Sequence, residues 1–210
     1  MIVEIGREQV ELLPEKGVFW IKRKVLVVAD LHLGKAAAFR NAGIPIPEGD
    51  MQRDLDRLQK IVEAKGAKHC IIVGDLLHHR TGMGEHTLEV IEKWMEGVPC
   101  DLDLVLGNHD RALKSVNHEK WKLNVHAQTL VIPPFIFSHH PIESEEGFVW
   151  SGHVHPQAHV KVGNKLHRFP CFQLGRKCAV LPAFSSFAGG CVVKEGEIYL
   201  IVNKEVIKLP

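Results

Sequence analysis

Val25-Leu26-Val27-Val28-Ala29-Asp30-Leu31-His32 begins as an unbroken apolar run and ends on a carboxylate and an imidazole two positions apart. A short run of this kind, rich in β-branched side chains, reads as a buried strand. Four further runs end in the same manner. Cys70-Ile71-Ile72-Val73 leads into Gly74-Asp75, and Leu102-Asp103-Leu104-Val105-Leu106 leads into Gly107-Asn108-His109-Asp110. Phe135-Ile136-Phe137-Ser138 leads into His139, and Gly147-Phe148-Val149-Trp150-Ser151 into Gly152-His153-Val154-His155. Metal-liking side chains therefore stand where strands stop and loops start, which is where open sheets place their chemistry.

The sequence around these runs sets the architecture. Residues 1–24 alternate loosely, with turn signals at Gly6-Arg7 and Pro14-Glu15-Lys16-Gly17, and read as a β-meander. A loop carrying Lys35, Arg40, Gly43, Pro45 and Pro47 is expected after His32. Met51, Leu55, Leu58 and Val62 then fall at helical spacing, predicting a helix over 50–65 that Gly66 caps. With the next strand this makes a β-α-β unit and a parallel pair. Leu88, Ile91 and Met95 predict a second helix over 85–96, stopped by Gly97. Residues 110–125 give a weak pattern of one helix and an irregular link. Beyond Gly152 the chain reads as strands and turns, with Gly163-Asn164, Gly189-Gly190 and Glu195-Gly196 as turn signals. β-α units followed by an antiparallel region imply an α/β sandwich of two facing sheets, in one domain spanning residues 1–210.

Composition narrows the class. At 210 residues, 45% hydrophobic and 24% charged, the chain suits a soluble globular domain with a sizeable core. A formal charge of +1 gives no overall basic field. Lys161, Lys165, Arg168, Arg176 and Lys177 are accordingly read as solvated rather than as a nucleic-acid surface. The unusual count is 14 histidines, a common metal ligand. Five cysteines without a Cys-x-x-Cys pair suit a reducing compartment. Glu4, Arg7, Glu8 and Glu11 interrupt any secretory segment, and no run is long and apolar enough to span a bilayer. A cytoplasmic protein is expected.

Asp30 and His32, two apart on an extended segment, would project to one side and could hold one ion. Asp75 could bridge two ions. Asn108 adds a neutral oxygen, and His139, His153 and His155 add nitrogens. Two carboxylates against two divalent ions leave about +2 formal charge, which suits a phosphoryl group. Mixed nitrogen and oxygen ligation admits Mn, Fe, Zn, Co or Ni and disfavours Ca or Mg. Separately, each motif has an ordinary reading, since Gly-Asp after a strand is usually turn chemistry. Five in order argue against coincidence. His69, His86, His118, His126, His159 and His167 lack that context and are read as ordinary surface or core residues.

Asp-x-His, Gly-Asp, Gly-Asn-His-Asp, a lone His and Gly-His-x-His, in this order, resemble the calcineurin-like metallophosphoesterase superfamily. The resemblance runs from Asp30 to His155 and implies a four-layer α-β-β-α sandwich, two facing mixed sheets flanked by helices. The fuller text Asp30-Leu31-His32-Leu33-Gly34-Lys35, Arg40 with Gly43-Ile44-Pro45-Ile46-Pro47, Leu181-Pro182-Ala183-Phe184 and Gly189-Gly190 is narrower. It resembles small phosphoesterases associated with DNA ligases and helicases in repair.

The resemblance implies that Asp30, His32, Asp75 and His155 hold one metal, and Asp75, Asn108, His139 and His153 a second. Manganese is the first expectation, with Fe, Zn, Ni or Co as alternatives. His109 would serve the leaving oxygen, Asp110 would orient His109, and a metal-bound hydroxide would attack. His139 is chosen over His140 because it directly follows the strand. Lys35 and Arg40 are candidates to grip substrate phosphate. One departure concerns the second acid of Gly-Asp-x-x-Asp, where this chain has His78, which could orient a ligand or touch substrate. The expected activity is phosphodiester hydrolysis, on DNA or on small nucleotides as phosphodiesterase or phosphatase. The rival is a non-catalytic binding module on the same fold.

Overall fold

The computed structural model describes residues 1–210, with the side chain of Val162 set aside. One sheet takes its strands in chain order: β1 (Ile2–Ile5), β2 (Glu8–Leu12), β3 (Val18–Trp20), β4 (Val25–Val28), β5 (His69–Val73), β6 (Asp101–Val105) and β7 (Leu123–His126). The first four are antiparallel neighbours, the expected meander, while β4 to β7 run parallel. Parallel neighbours need crossovers. Here these are α1 (Lys35–Asn41) and α2 (Asp50–Lys65) before β5, and α3 (Glu85–Gly97) before β6.

The second sheet comprises β8 (Thr129–Ile132), β9 (Phe135–Ser138), β10 (Phe148–Ser151), β11 (Pro156–Val162), β12 (Lys165–Leu174), β13 (Cys178–Val180), β14 (Cys191–Val192), β15 (Glu197–Val202) and β16 (Glu205–Lys208). Its order is β14-β11-β12-β13-β10-β9-β8, with β15 joining β12 to β16. β9, β10 and β13 run parallel, and β12 runs antiparallel to β13, so this sheet too is mixed. Two facing mixed sheets with helices are what the resemblance implied. Beyond Gly97 the described residues form strands and one 3₁₀ stretch, Asp110–Ser115, so the second sheet is built without an intervening α-helix. No helix is long and apolar enough to cross a membrane.

The continuous apolar runs follow from a core on each face of the first sheet. Leu26, Val28, Cys70, Ile72, Leu102 and Leu104 pack under Leu55, Leu58 and Val62 of α2 and Ile91, Trp94 and Met95 of α3. The alternate residues Val25, Val27, Ile71, Val73 and Val105 pack against Phe135, Phe137, Trp150 and Phe172 of the other sheet. A strand buried on both faces has no polar side to show. Gly66, left-handed at φ 57°, caps α2 as expected, and α3 runs one residue past its expected end.

Two expectations change. Residues 35–41, read as loop, form α1, because Lys-Ala-Ala-Ala is strongly helix-forming whatever the length of its apolar stripe. His69 and His126, read as ordinary, flank the buried carboxylate of Asp103: His126 Nε2 lies 2.5 Å from one oxygen and His69 Nε2 against the other.

One buried acid ties the helical layer to the site. Asp54 of α2 accepts the Ser186 amide at 2.8 Å and its hydroxyl at 3.1 Å, and pairs with Arg57 at 3.1 Å. Arg57 stacks on the Phe184 ring at 4.1 Å and donates to its carbonyl. The Phe184 and Ser185 amides then bond the Ala29 and Asp30 carbonyls, at 2.7 and 3.2 Å. Removing one member of a buried charged pair costs roughly 3–5 kcal/mol. Asp54→Ala should therefore lower the unfolding free energy by about 3 kcal/mol in urea titration, with the slope unchanged.

Candidate metal centre

The five motifs converge at the parallel ends of β4, β5, β6, β9 and β10. Past their last paired residues, β4 and β5 stay bonded: the Asp30 amide to the Gly74 carbonyl (3.1 Å), His32 to Asp75 (2.8 Å) and Leu33 to Leu76 (2.8 Å). Within this ladder the candidate ligands take a rare backbone conformation. Asp30, His32, Asp75, His153 and His155 all have positive φ, at 57°, 48°, 50°, 69° and 50°. Each costs of order 1–3 kcal/mol outside glycine. The expectation that Asp30 and His32 share a side because their segment is extended is corrected: both are left-handed, and the chain coils to bring them together.

The side chains form two overlapping sets. In one, His155 Nε2 lies 3.3 Å from His32 Nε2 and 3.5 Å from Asp30 Oδ1. In the other, His139 Nε2 lies 3.0 Å from Asn108 Oδ1 and 3.1 Å from His153 Nδ1. Between them stands Asp75, whose Oδ2 is 3.9 Å from His32 Nε2 and 3.6 Å from His139 Nε2. Donor atoms of Asp30, His32 and His155 fall within 4.8 Å of one another, as do those of Asp30, Asp75 and His139. Two ligand nitrogens near 2.1 Å from one ion sit roughly 3 Å apart, which is the spacing seen here.

The glycines of the motifs make room for these ligands. A Cβ on Gly107 would lie 2.2 Å from Asp75 Oδ1, and one on Gly74 would lie 1.9 Å from His139 Nδ1. Ligand orientation is set from behind. His155 Nδ1 faces the Gly189 carbonyl at 3.0 Å, and the His153 amide donates to both Asp30 oxygens at 3.0 and 3.2 Å. Such supporting contacts fix which nitrogen points inward.

Asp30 and Asp75 are 0% and 2% exposed, and among the described residues no Lys or Arg pairs with either. Buried carboxylates without compensating charge are costly. Burial pushes the His32 imidazole down to about 2, helped by the Lys35 charge, so it presents a lone pair rather than a cation. His153 is also lowered, chiefly by burial. Burial would lower His155 as well, but the hydrogen bond and charge of Asp30 outweigh it and leave its pKa raised. A donor set of buried carboxylates and imidazoles facing one another fits divalent cations, and these residues would hold them.

The remaining candidates fall into place unevenly. His139 is buried among the candidate ligands, whereas His140 is exposed and packs on the His153 ring at 4.2 Å, with a ring nitrogen within 4.8 Å of those of His139 and His153. His109 Nδ1 bonds the His78 carbonyl at 2.9 Å, and its ring stacks on His78 at 5.0 Å. Asp110 does not orient His109. Its carboxylate accepts the Leu77 and Gly107 amides at 3.0 and 2.8 Å, joining the Asp75 and Asn108 loops, and burial pushes it up to about 7 against those two bonds. His78 is pushed down to about 4 by burial and by Lys35. Lys35, half-buried, is lowered by burial against the raising influence of the Asp30 and Asp75 charges. Arg40 points elsewhere, to the Ile46 and Pro47 carbonyls and to Glu48, and pins its own loop.

The family model for calcineurin-like phosphoesterases matches residues 23–153. The chain belongs to that family. Among solved structures, nuclease MPE of Pseudomonas putida is 30% identical, with a TM-score of 0.84 over 100% of this chain and 99% of that one. The Aquifex aeolicus protein of unknown function AQ665 is 17% identical, with a TM-score of 0.45 over 62% of this chain and 78% of that one. No curated protein matches. As a calcineurin-like phosphoesterase the protein is a metal-dependent phosphoester hydrolase, and the family brings divalent ions to a centre whose His and Asp groups are those described above.

Two outcomes follow from the geometry of this calcineurin-like centre. Gly107→Ala should displace the Asp75 carboxylate and weaken Mn²⁺ binding at least tenfold by calorimetry, since about 1.4 kcal/mol of displacement suffices. Binding must also strip the proton that Asp30 favours on His155. Affinity should thus fall as pH drops through the raised His155 pKa and level off above it, with protons released into buffer.

Proposed function

We propose that the protein is a binuclear metallophosphodiesterase that cleaves DNA, with residues 1–210 acting as one domain. The observation that carries the reading is the placement of Asp75 Oδ2 between two ligand sets. One cation would be held by Asp30, His32, Asp75 and His155, the other by Asp75, Asn108, His139 and His153. Two bound cations supply Lewis-acid charge and acidify water, which phosphoryl transfer needs. Mixed imidazole and oxygen ligation favours Mn²⁺, with Fe, Zn, Ni or Co as alternatives.

The chain's own groups supply the rest. With Nδ1 donating to the His78 carbonyl, His109 has Nε2 free to carry a proton toward the leaving oxygen. His78, neutral at pH 7, stacks on that ring and keeps its plane. Lys35 opens α1 three residues after His32, and its ammonium could bind a non-bridging phosphate oxygen.

Nucleic acid is favoured over a small nucleotide by two observations. The Pseudomonas putida neighbour is a nuclease and matches along the whole chain. No Asp or Glu occurs between Glu146 and Glu195, a stretch holding Lys161, Lys165 and Arg168. These exposed cations lie on the β11–β12 hairpin, which leaves the centre directly after His155. Segregated basic surface attracts polyanions even when net charge is small. The narrower resemblance sets this activity in cytoplasmic DNA repair beside a ligase or helicase, and the five free cysteines suit that compartment.

The test is hydrolysis of bis-p-nitrophenyl phosphate by metal-stripped protein given Mn, Ni, Co, Zn or Mg, followed by cleavage of DNA oligonucleotides at rising salt. Activity should return with Mn²⁺, and DNA cleavage should fall steeply with salt. His109→Ala should keep metal but lose roughly 10²–10⁴ in kcat, whereas Asp75→Asn should weaken metal binding itself. Full activity in His109→Ala removes its acid role. Silence with every metal, despite bound ions, points to a binding module.

A further inference from the structure

We infer that the cleft opening beside Asn108 and His139 is a nucleotide subsite, in which Arg111 and Lys114 hold a phosphate flanking the scissile one. This rests on the nuclease reading. The cleft has a volume of about 760 Å³, inside the range of roughly 300–1,000 Å³ typical of small-ligand sites. It begins at the proposed ligands Asn108 and His139, so it adjoins the centre directly.

Its two walls differ in chemistry. One is the 3₁₀ stretch Asp110–Ser115, where residues three apart share a face. Arg111 and Lys114 are three apart, both line the cleft, and among the described residues neither forms an ion pair. The lone acid in the lining, Asp110, has both oxygens taken by backbone amides, so the wall is cationic. The facing wall carries Val125 and Ile142, large apolar side chains left 41% and 42% exposed. Exposed apolar surface next to unpaired cations suits a ligand that is anionic at one end and flat and apolar at the other. A nucleotide in a single strand has that form. A phosphate alone would leave the apolar wall unused, and an apolar peptide would leave the cations unused.

Binding is best read apart from turnover. Fluorescein-labelled tetrathymidylate is titrated onto Mn²⁺-loaded His109→Ala protein, then onto the same protein carrying Arg111→Ala, Lys114→Ala or Arg111→Lys. Each alanine should weaken binding about tenfold, and each lost phosphate contact should reduce the salt slope by about 0.7. Arg111→Lys should recover most of the affinity. In a His109 background, the ratio of kcat/KM for tetrathymidylate to that for bis-p-nitrophenyl phosphate should fall by a similar factor, through KM. Unchanged binding and an unchanged ratio in both alanine variants overturn the subsite while leaving the nuclease reading intact. Hydrolysis of the small diester with no binding or cleavage of the oligonucleotide overturns both.

Discussion

Two carboxylates buried without a basic partner are the constraint around which this molecule is arranged. Asp30 and Asp75 are almost fully withdrawn from water, and the groups nearest them are imidazoles whose surroundings keep at least His32 neutral. Where His32 presents a lone pair, Asp75 Oδ2 faces it at 3.9 Å with no cation between them. A cation there would turn that repulsion into an attraction. Metal binding and the last increment of stability are therefore linked at one place, because only the folded chain presents the full donor set.

Holding the donors in that unfavourable arrangement falls to the remainder of the fold. Five ligands sit in left-handed conformations, each costing of order 1–3 kcal/mol. Full burial of one large aliphatic side chain returns a comparable amount, and the first sheet buries such chains on both faces. The strain is thus small beside the packing that imposes it. Backbone ladders past β4 and β5 stop the loops from relaxing. Asp54, the Ser186 turn and Phe184 brace Asp30 from the opposite side, which gives the Leu181–Phe184 text of the narrower resemblance a structural purpose. Gly189 has one too, as the carbonyl that aims His155.

The sandwich was legible, and so were the candidate ligands that the fold brings together, because both leave local marks. A strand buried on both faces must be apolar throughout, and a metal ligand must be one of few residue types. The helix over 50–65 was legible from its stripe and its capping glycine. α1 was not, since seven residues with one large apolar side chain, Phe39, carry no amphipathic period. Roles played by the backbone were equally hidden. His109 is oriented by the His78 carbonyl rather than by Asp110, and a carbonyl belongs to every residue type. Arg40 was misplaced for a related reason, as sequence gives a cation's charge but not its direction. The cleft cations Arg111 and Lys114 had no motif at all, and only the 3₁₀ turn puts them on one face.

His78 shows how a departure from the family pattern is absorbed. An acid at this position would sit against His32 and His109, adding a negative charge to a centre already holding two. His78 instead contributes a ring that burial keeps neutral, and its main chain performs the positioning that any residue there could perform. With two divalent cations bound, the two carboxylates would leave about +2 rather than about +1. Without the acid, a centre loaded with two cations would carry the larger positive charge, which favours a more highly charged phosphoester.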